Sequence, residues 1–173
     1  MQKTGGKTDR KKYLETQSRC AVLVCSDSTA NKEREDISGM LIKKMLENAN
    51  AVVKYYQVLP DDKEQIQQQI KSWVAEDIDF IFTTGGTGLG PRDNTVNAVK
   101  ELIEIDAVGI AEAIRNYGQL RTPVAMMSRG IAGAVAQTLI ITLPGSADGA
   151  RESLEAILPT VFHARKMLEG KGH

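Results

Sequence analysis

The stretch that most constrains the fold is residues 83–93, TTGGTGLGPRD, which directly follows the short run DFIF at residues 79–82. A β-branched and aromatic run that ends in clustered glycines indicates a buried strand opening into a loop. In open α/β sheets, ligands bind at such carboxyl ends of strands. Four glycines within six residues let the backbone approach a ligand closely and point N–H groups at it. With Arg92 and Asp93 at its exit, the loop predicts a site for a phosphate-bearing ligand and a metal carboxylate.

Two standard phosphate-binding motifs are excluded at this loop. A Walker A sequence running from Gly85 to Gly90 would continue with Lys and Ser or Thr, but Pro91 and Arg92 follow. A dinucleotide fingerprint that starts at Gly86 would need glycine where Pro91 stands. An isolated glycine cluster is about as typical of a turn without a ligand, so that alternative stays open on the loop alone.

A second candidate loop follows the apolar run TLIITL at residues 138–143. Pro144, Gly145 and Ser146 end this predicted strand, and a helical pattern begins with Ser146 or Asp148 as its N-cap. A helix N-terminus suits anions because its unpaired N–H groups and its dipole both favour negative charge. Most such turns only reverse the chain, so this signal is weak by itself.

The pattern of elements predicts one α/β domain. Strands are expected near residues 20–26, 52–58, 79–84, 124–127 and 138–143, with helical patterns between them, one carrying Ile66, Ile70, Trp73 and Val74 and another Val99, Leu102 and Ile103. Strands that alternate with helices favour a three-layer α/β/α fold around a mostly parallel sheet. Pro159 is expected to break or kink the last helical segment.

The N-terminal residues have a different composition. Residues 1–19 hold six Lys or Arg against two acidic residues, a net charge of +4 that leaves −4 for the remainder of this neutral chain. Nucleic acid or an acidic partner is one interpretation, but terminal segments of this kind are usually disordered. We therefore expect a flexible basic tail at residues 1–18, a single domain at residues 19–173, and no nucleic-acid partner.

Cysteine and histidine usage predicts a cytoplasmic protein without a transition-metal site. Cys20 and Cys25 lie five positions apart on one predicted strand, so their side chains face opposite ways and do not bridge. The two histidines, His163 and His173, both lie near the C-terminus, which makes a His/Cys metal site improbable. The chain also lacks an apolar run of about 20 residues, so we expect no membrane partner.

Taken together, the motifs of this chain resemble those of the MogA/MoaB family of molybdenum-cofactor biosynthesis proteins, in the family's order and spacing over residues 20–170. TTGGTG followed by RD is highly specific to that family's fold. The matching segments are residues 26–28 (SDS), 34–36 (RED), 38–39 (SG), 58–62 (VLPDD), 83–93, 128–130 (SRG) and 143–146 (LPGS). The resemblance implies a magnesium-dependent molybdopterin adenylyltransferase, which transfers AMP from ATP to the terminal phosphate of molybdopterin and releases pyrophosphate.

The resemblance also implies roles for individual residues. Asp61 and Asp93 match two aspartates linked to catalysis and magnesium, and one or two carboxylates plus substrate phosphate oxygens suit that ion. Their structural alternatives are a solvated turn residue after Pro60 for Asp61, and a helix N-cap for Asp93. The implied substrate-binding residues are Asp36, Thr84, Gly85, Gly86, Thr87, Gly88, Ser128, Arg129, Gly145 and Ser146. Asp36 equally fits a helix N-cap, and Arg129 equally fits a surface residue.

Departures from the family pattern keep two other functions open. Val96 and Asn97 stand where the family usually has Pro and Glu, Val108 stands where a proline usually precedes glycine, and the loop after Ser146 lacks a common proline. A non-catalytic pterin-binding or scaffold protein is the first alternative, and a competence-damage-type nucleotide pyrophosphatase is the second. The resemblance further implies a homo-trimer or hexamer, and a molybdenum-insertion enzyme as a downstream partner.

Overall fold

A six-stranded, mostly parallel sheet forms the centre of the computed structural model, which describes residues 17–171. The strands are β1 (Arg19–Cys25), β2 (Val52–Leu59), β3 (Phe80–Thr84), β4 (Ile105–Asp106), β5 (Ala132–Val135) and β6 (Thr138–Leu143). Their order across the sheet is β2-β1-β3-β6-β5-β4. The first four in this order run parallel to one another. Strand β5 pairs antiparallel with β6, and β4 pairs antiparallel with β5 at the edge of the sheet.

Helices cover both faces of the sheet, which confirms the predicted three-layer α/β/α fold. The helices are α1 (Asp27–Ala30), α2 (Ile37–Asn48), α3 (Lys63–Ala75), α4 (Thr95–Lys100), α5 (Val108–Gln119), α6 (Ala147–Ile157) and α7 (Ala164–Leu168). Helices α2, α5 and α6 pack on one face, and α3 and α4 pack on the other. Each of the two resulting cores is apolar on both its sheet side and its helix side.

Strand β1 shows why the sheet needs two cores. All its apolar side chains are buried, and successive residues point to opposite faces, so Val22 belongs to one core and Leu23 to the other. Burying a side chain of this size stabilises the fold by about 1.5–3 kcal/mol. Cys20 and Cys25 are both free and lie in different cores, which confirms that they pack and do not bridge.

The strand predicted at residues 124–127 is wrong. These residues belong to a 3₁₀ helix, Pro123–Met127, that begins after the extended Thr122 and has a proline at its start. Val124, Met126 and Met127 are more than half exposed, so their apolar character reflects a surface and not a buried strand. On the side away from β3, β6 pairs with β5, whose sequence AGAV contains one residue of high strand propensity, Val135. The two-residue β4 was not predicted either.

The helix patterns are confirmed with shorter limits. Ile66, Ile70 and Trp73 are buried on one face of α3, as expected. Helix α4 ends at Lys100, before Leu102 and Ile103, although both of these residues still pack against the same core as Val99. Helix α6 ends at Ile157, just before Pro159, as a residue without a backbone N–H requires.

Residues 17 and 18 mark the start of the described chain. Ser18 is buried and its carbonyl accepts the Val52 N–H at 2.9 Å, so this residue already belongs to the sheet and not to a tail. The remainder of the predicted basic tail lies outside the described residues. Among residues 17–171, no helix is long and apolar enough to cross a membrane.

Helix α3 provides a test of local stability beside the candidate site. The Asp62 carboxylate accepts the Gln65 N–H at 2.8 Å and caps the helix. We expect Asp62→Ala to lower the free energy of unfolding by about 1 kcal/mol, because the N–H loses its acceptor. Asp62→Asn, which keeps an acceptor oxygen, should be near neutral in the same urea titration. Equal losses for the two variants would contradict the capping role.

Candidate functional site

The carboxyl ends of the four parallel strands meet at one edge of the sheet, and their loops surround a cleft. The register places Cys25 beside Leu59, Val24 beside Thr84, and Thr84 beside Leu143, so the loops after β1, β2, β3 and β6 start at nearly the same level. The cleft has a volume of about 290 Å³. It is lined by seven of the predicted site residues, Asp36, Asp61, Thr84, Gly85, Gly86, Asp93 and Gly145.

Two glycines of the loop after β3 are required by the backbone itself. Gly85 has φ +95°, and a side-chain carbon there would collide with the carbonyl oxygen of Cys25. Gly86 has φ +64°, and a carbon there would collide with the Thr95 hydroxyl. Both positions lie in the left-handed region that side chains disfavour. These glycines therefore let the loop fold back over the ends of β1 and α4.

The N–H groups of this loop divide into two sets. Gly85 donates to the Leu143 carbonyl at 3.2 Å, and Gly90 donates to Asp93 Oδ2 at 2.7 Å. The N–H groups of the four consecutive residues 86–89 donate to no acceptor within residues 17–171, and Gly86 is the one among them that lines the cleft. Successive free N–H groups in a turn form a concave anion-binding surface. The loop thus has donors for an anion in its central part.

The Asp93 carboxylate lies inside the curve of the same loop. A carbon added at Gly88 would lie 3.0 Å from Asp93 Oδ2, so the glycines leave the room that this carboxylate occupies. Asp93 is not the N-cap of α4, because that position is taken by Asn94. The Asn94 side chain caps nothing and instead donates to the Asp61 carbonyl at 2.9 Å. Asn94, the residue after Asp93, therefore connects the loop that carries Asp93 to Asp61 by a hydrogen bond.

Asp61, directly after β2, is only partly accessible to solvent. Its Oδ2 accepts the Asp27 N–H at 3.1 Å, while its own N–H donates to Asp27 Oδ1 at 2.9 Å. Burial raises the pKa of the Asp61 carboxyl, and the negative charges of Asp27 and Asp93 raise it further, against the effect of the Asp27 N–H and Arg92. This carboxylate lacks a full set of compensating partners.

The donor set at this edge fits a magnesium ion. Asp61 and Asp93 both line the cleft and repel each other electrostatically, and hard oxygen ligands are those that Mg²⁺ prefers. No group of three or more His, Cys, Asp or Glu side chains is arranged for a metal within residues 17–171. Two carboxylates leave the other coordination positions for water and phosphate oxygens, as is usual for Mg²⁺ at phosphoryl-transfer sites.

Asp36 is the N-cap of α2, as one of its two interpretations required. Its Oδ1 accepts the Gly39 N–H at 2.9 Å, and the Tyr56 hydroxyl donates to Oδ2. Burial raises the pKa of the Asp36 carboxyl. Thr84 donates its hydroxyl to the Pro144 carbonyl at 2.8 Å and so ties the loop after β3 to the loop after β6. Both residues remain on the wall of the cleft.

Arg129 supports the glycine loop from behind. Its guanidinium donates to the Gly88 carbonyl at 2.7 Å, the Asp93 carbonyl at 2.7 Å and Asn97 Oδ1 at 3.0 Å, and its own N–H donates to the Thr87 carbonyl at 2.9 Å. The carbonyls of Thr87, Gly88 and Asp93 therefore point toward Arg129. The N–H groups of Gly86, Thr87 and Gly88 stay free.

Ser128 and Ser146 lie in a neighbouring cavity of about 180 Å³ and do not line the cleft with Asp61 and Asp93. The Ser146 hydroxyl accepts the Gly149 N–H at 3.2 Å and caps α6. The Ser128 hydroxyl accepts the Gly130 N–H at 3.2 Å. Both side chains hold local structure at the border of the site.

Sequence reasoning did not assign a role to Asp27 or Asn94, although each contacts Asp61. Asp27 Oδ2 also accepts Arg92 Nε at 3.0 Å and Nη2 at 2.7 Å. Both residues belong to segments already noted, SDS after β1 and the continuation of PRD. Their place in those segments was the signal that could have identified them. Their contacts with Asp61, however, span 33 positions for Asn94 and 34 for Asp27.

The raised pKa of Asp61 predicts a dependence of stability on pH. Folding favours the protonated form, so the contribution of Asp61 to stability is complete below the ordinary pKa of 3.8 and is lost as the pH rises through the raised value. We expect Asp61→Asn to melt at a higher temperature than the wild type at pH 7, with a smaller difference near pH 3.8. Thermal melts at both pH values, without added metal, test this. A lower melting temperature for the variant at pH 7 would contradict it.

Comparison with known proteins shows which family this chain resembles. Residues 21–163 match the family model described as a probable molybdopterin binding domain. A molybdenum cofactor biosynthesis bifunctional protein of Chlorobaculum tepidum is 38% identical over 171 residues, covering 99% of this chain and 54% of that protein. This chain thus spans about half of the length of that relative. Molybdenum cofactor biosynthesis protein B of Staphylococcus carnosus is 36% identical over 87% of this chain and 90% of its own.

A solved structure gives the same result for the fold. The molybdopterin biosynthesis enzyme MoaB of Thermus thermophilus superimposes with a TM-score of 0.84 at 41% identity, over 90% of this chain and 99% of that one. The family model's range, residues 21–163, covers β2 to β6, most of β1 and all four loops around the cleft. This chain therefore belongs to the MogA/MoaB family of molybdenum-cofactor biosynthesis proteins.

Proposed function

We propose that this protein is a magnesium-dependent molybdopterin adenylyltransferase. The reaction forms a bond between a terminal phosphate oxygen of molybdopterin and the α-phosphorus of ATP. The bond between the α-phosphorus and the bridging oxygen to the β-phosphate breaks, and pyrophosphate leaves with the electron pair. ATP is the co-substrate and molybdopterin the acceptor.

One observation supports the proposal most directly. The free N–H groups of Gly86, Thr87 and Gly88 occur in the same loop as the Asp93 carboxylate, with Asp61 on the adjacent loop. Anion donors beside carboxylates make little sense for an apolar ligand, but they match phosphates that enter together with a divalent cation. The family match is consistent with this ligand class.

The chain's own residues supply positioning and charge balance. Free N–H groups of the glycine loop would hold phosphate oxygens, and Arg129 would keep those groups aligned through its bonds to the Gly88 and Asp93 carbonyls. Asp61 and Asp93 would hold Mg²⁺, which when bound neutralises negative charge on the phosphates. Bringing two phosphates together requires this kind of positioning and electrostatic stabilisation, and little covalent chemistry from the protein.

Asp36 forms an acidic part of the cleft wall, and its half-buried carboxylate can recognise a ligand by hydrogen bonding. Its carboxylate oxygens retain lone pairs beyond those that Gly39 and Tyr56 use. We assign this wall to the N–H groups of the pterin ring. This assignment keeps the phosphates at the glycine loop and the ring near α2.

The test is the formation of adenylylated molybdopterin from fresh molybdopterin and ATP, followed by chromatography with and without Mg²⁺. We expect product and equimolar pyrophosphate with Mg²⁺, and neither when EDTA replaces it. Tight pterin binding without product would favour the scaffold alternative. Pyrophosphate release without any pterin would favour the nucleotide pyrophosphatase.

The departures from the family pattern at Val96 and Asn97 are compatible with the catalytic proposal. Val96 is buried in α4, and Asn97 contacts Arg129, so neither residue lines the cleft. Their effect would reach the substrates only through the support of the glycine loop. We therefore expect these changes to affect loop rigidity more than the metal carboxylates.

A homo-oligomer, trimer or hexamer, is part of the same proposal. Several large apolar side chains on or next to the 3₁₀ helix are exposed in the single chain: Leu120, Val124, Met126 and Met127. Such a patch favours burial against another copy. Light scattering coupled to gel filtration would give the mass. A partner that inserts molybdenum would receive the adenylylated product.

A further inference from the structure

Asp27 joins three of the four loops around the cleft. It is the first residue of α1, directly after β1, and it exchanges two hydrogen bonds with Asp61 after β2. Its remaining carboxylate oxygen, Oδ2, accepts two N–H groups of Arg92 from the loop after β3. No substrate-facing role follows from this position, because Asp27 does not line the cleft.

The contacts of Asp27 do more than cap its own helix. Helix α1 has only four residues, and Ser26 already caps it by accepting the Thr29 N–H. The Asp27 carboxylate is thus available for partners 34 and 65 positions away. The ion pair with Arg92 is largely exposed, and pairs of this kind add little stability. What the side chain fixes is the place of the Asp61 backbone.

Asn94, in the loop after β3, also bonds to the Asp61 main chain. It occupies the N-cap position of α4, where Asn commonly bonds to the helix N–H groups, yet its side chain donates to the Asp61 carbonyl instead. The N–H of Asp61 is held by Asp27 and its carbonyl by Asn94. Both hydrogen-bonding groups of the Asp61 main chain are therefore fixed by side chains from other loops.

We propose that Asp27 and Asn94 are positioning residues that hold the Asp61 carboxylate in the geometry required for the magnesium ion. The proposal rests on the proposed function, since that function assigns Mg²⁺ to Asp61 and Asp93. Groups that orient a metal ligand typically change metal affinity by about 10–100-fold when they are removed. Removing either side chain is therefore expected to raise the Mg²⁺ concentration that the reaction requires and not to lower the maximal rate.

The variants separate positioning from charge. Asp27→Asn removes the charge that faces Arg92 but keeps an oxygen that can accept the Asp61 N–H. Asp27→Ala removes both, and Asn94→Ala removes the bond to the Asp61 carbonyl. Glu47→Gln is the control, because within residues 17–171 the Glu47 side chain pairs only with Lys43 on the exposed side of α2.

The experiment measures product formation across a magnesium titration for each variant. For Asp27→Ala and Asn94→Ala we expect the Mg²⁺ concentration at half-maximal rate to rise by about 10–100-fold, with the rate at saturating Mg²⁺ changed far less. Asp27→Asn and Glu47→Gln should stay close to the wild type. An unchanged magnesium requirement in the two alanine variants, or an equal rise in Asp27→Asn, would overturn the proposal. So would a lower maximal rate at an unchanged requirement.

A second measurement separates this proposal from the proposed function. Calorimetric titration of the same variants with Mg²⁺ and a non-hydrolysable ATP analogue gives the binding affinity without the transfer reaction. If the wild type binds the magnesium complex but makes no product, the transferase proposal fails, and the affinity ratios still test Asp27 and Asn94. If the wild type shows no magnesium-dependent binding, the positioning role fails as well.

Discussion

Asp93→Asn is expected to lower the rate of AMP transfer by about 10²–10³-fold, the loss typical of removing one preorganised group that stabilises charge in a transition state. The physical reason is the lost negative charge, because an amide oxygen is a weak ligand for Mg²⁺ compared with a carboxylate. The loop itself should persist, since the Asn side-chain oxygen can still accept the Gly90 N–H that Asp93 Oδ2 now accepts at 2.7 Å. The measurement is the initial rate of adenylylated molybdopterin formation.

Two further variants show whether this loss belongs to the site. Asp106→Asn makes the same chemical change on the exposed strand β4 at the far edge of the sheet and should leave the rate unchanged. Asp93→Ala should lose activity to the same extent as Asp93→Asn, and it should also lower the melting temperature because the Gly90 N–H loses its acceptor. Nearly full activity in Asp93→Asn would rule out a catalytic or metal role for this carboxylate.

Gly85→Ala should lower the free energy of unfolding by about 2–4 kcal/mol. The left-handed conformation at φ +95° costs a residue with a side chain about 1–3 kcal/mol. The added carbon also collides with the Cys25 carbonyl, which belongs to the central strand β1 and has little room to move. Urea unfolding of both proteins measures the difference.

Gly109→Ala is the matched control for this change. Gly109 lies in α5, and a carbon added there meets no atom within 4 Å. Because alanine leaves the unfolded chain less conformational freedom than glycine, this substitution at the second residue of α5 should raise the free energy of unfolding by about 0.4–1 kcal/mol. The same chemical change is therefore expected to have opposite signs at the two positions. An unchanged or raised free energy of unfolding in Gly85→Ala would mean that the loop relaxes around the new side chain.

These predictions distinguish residues that folding requires from residues that the proposed function requires, all at the edge of the sheet where the parallel strands end. Gly85 is needed by the backbone whether or not a ligand binds, whereas burial raises the pKa of Asp61, so its ionised form works against folding. A site that destabilises the protein without its ligand is typical of functional positions. Binding of magnesium with phosphates would offset this cost.

Much of the fold could be predicted because its signals are local. The apolar runs at β1, β3 and β6 are buried on both faces, so their sequences show continuous hydrophobicity that requires helices on either side. The run at residues 124–127 is also apolar but lies exposed in a 3₁₀ helix. A short apolar segment does not specify whether it faces a core or a surface, and β5 lacked the bulky residues that mark a strand.

The sequence by itself determined strands β1, β2, β3 and β6 and the glycine loop, because strand burial and turn chemistry act over a few neighbouring residues, and the family resemblance singled out Asp61 and Asp93. Only the tertiary structure decided which loop N–H groups stay free, that Ser128 and Ser146 lie in another cavity, and that Asp27 and Asn94 hold Asp61. These outcomes depend on side chains that meet across loops 33 or more positions apart. Such contacts form only when the parallel strands bring their carboxyl ends to one edge.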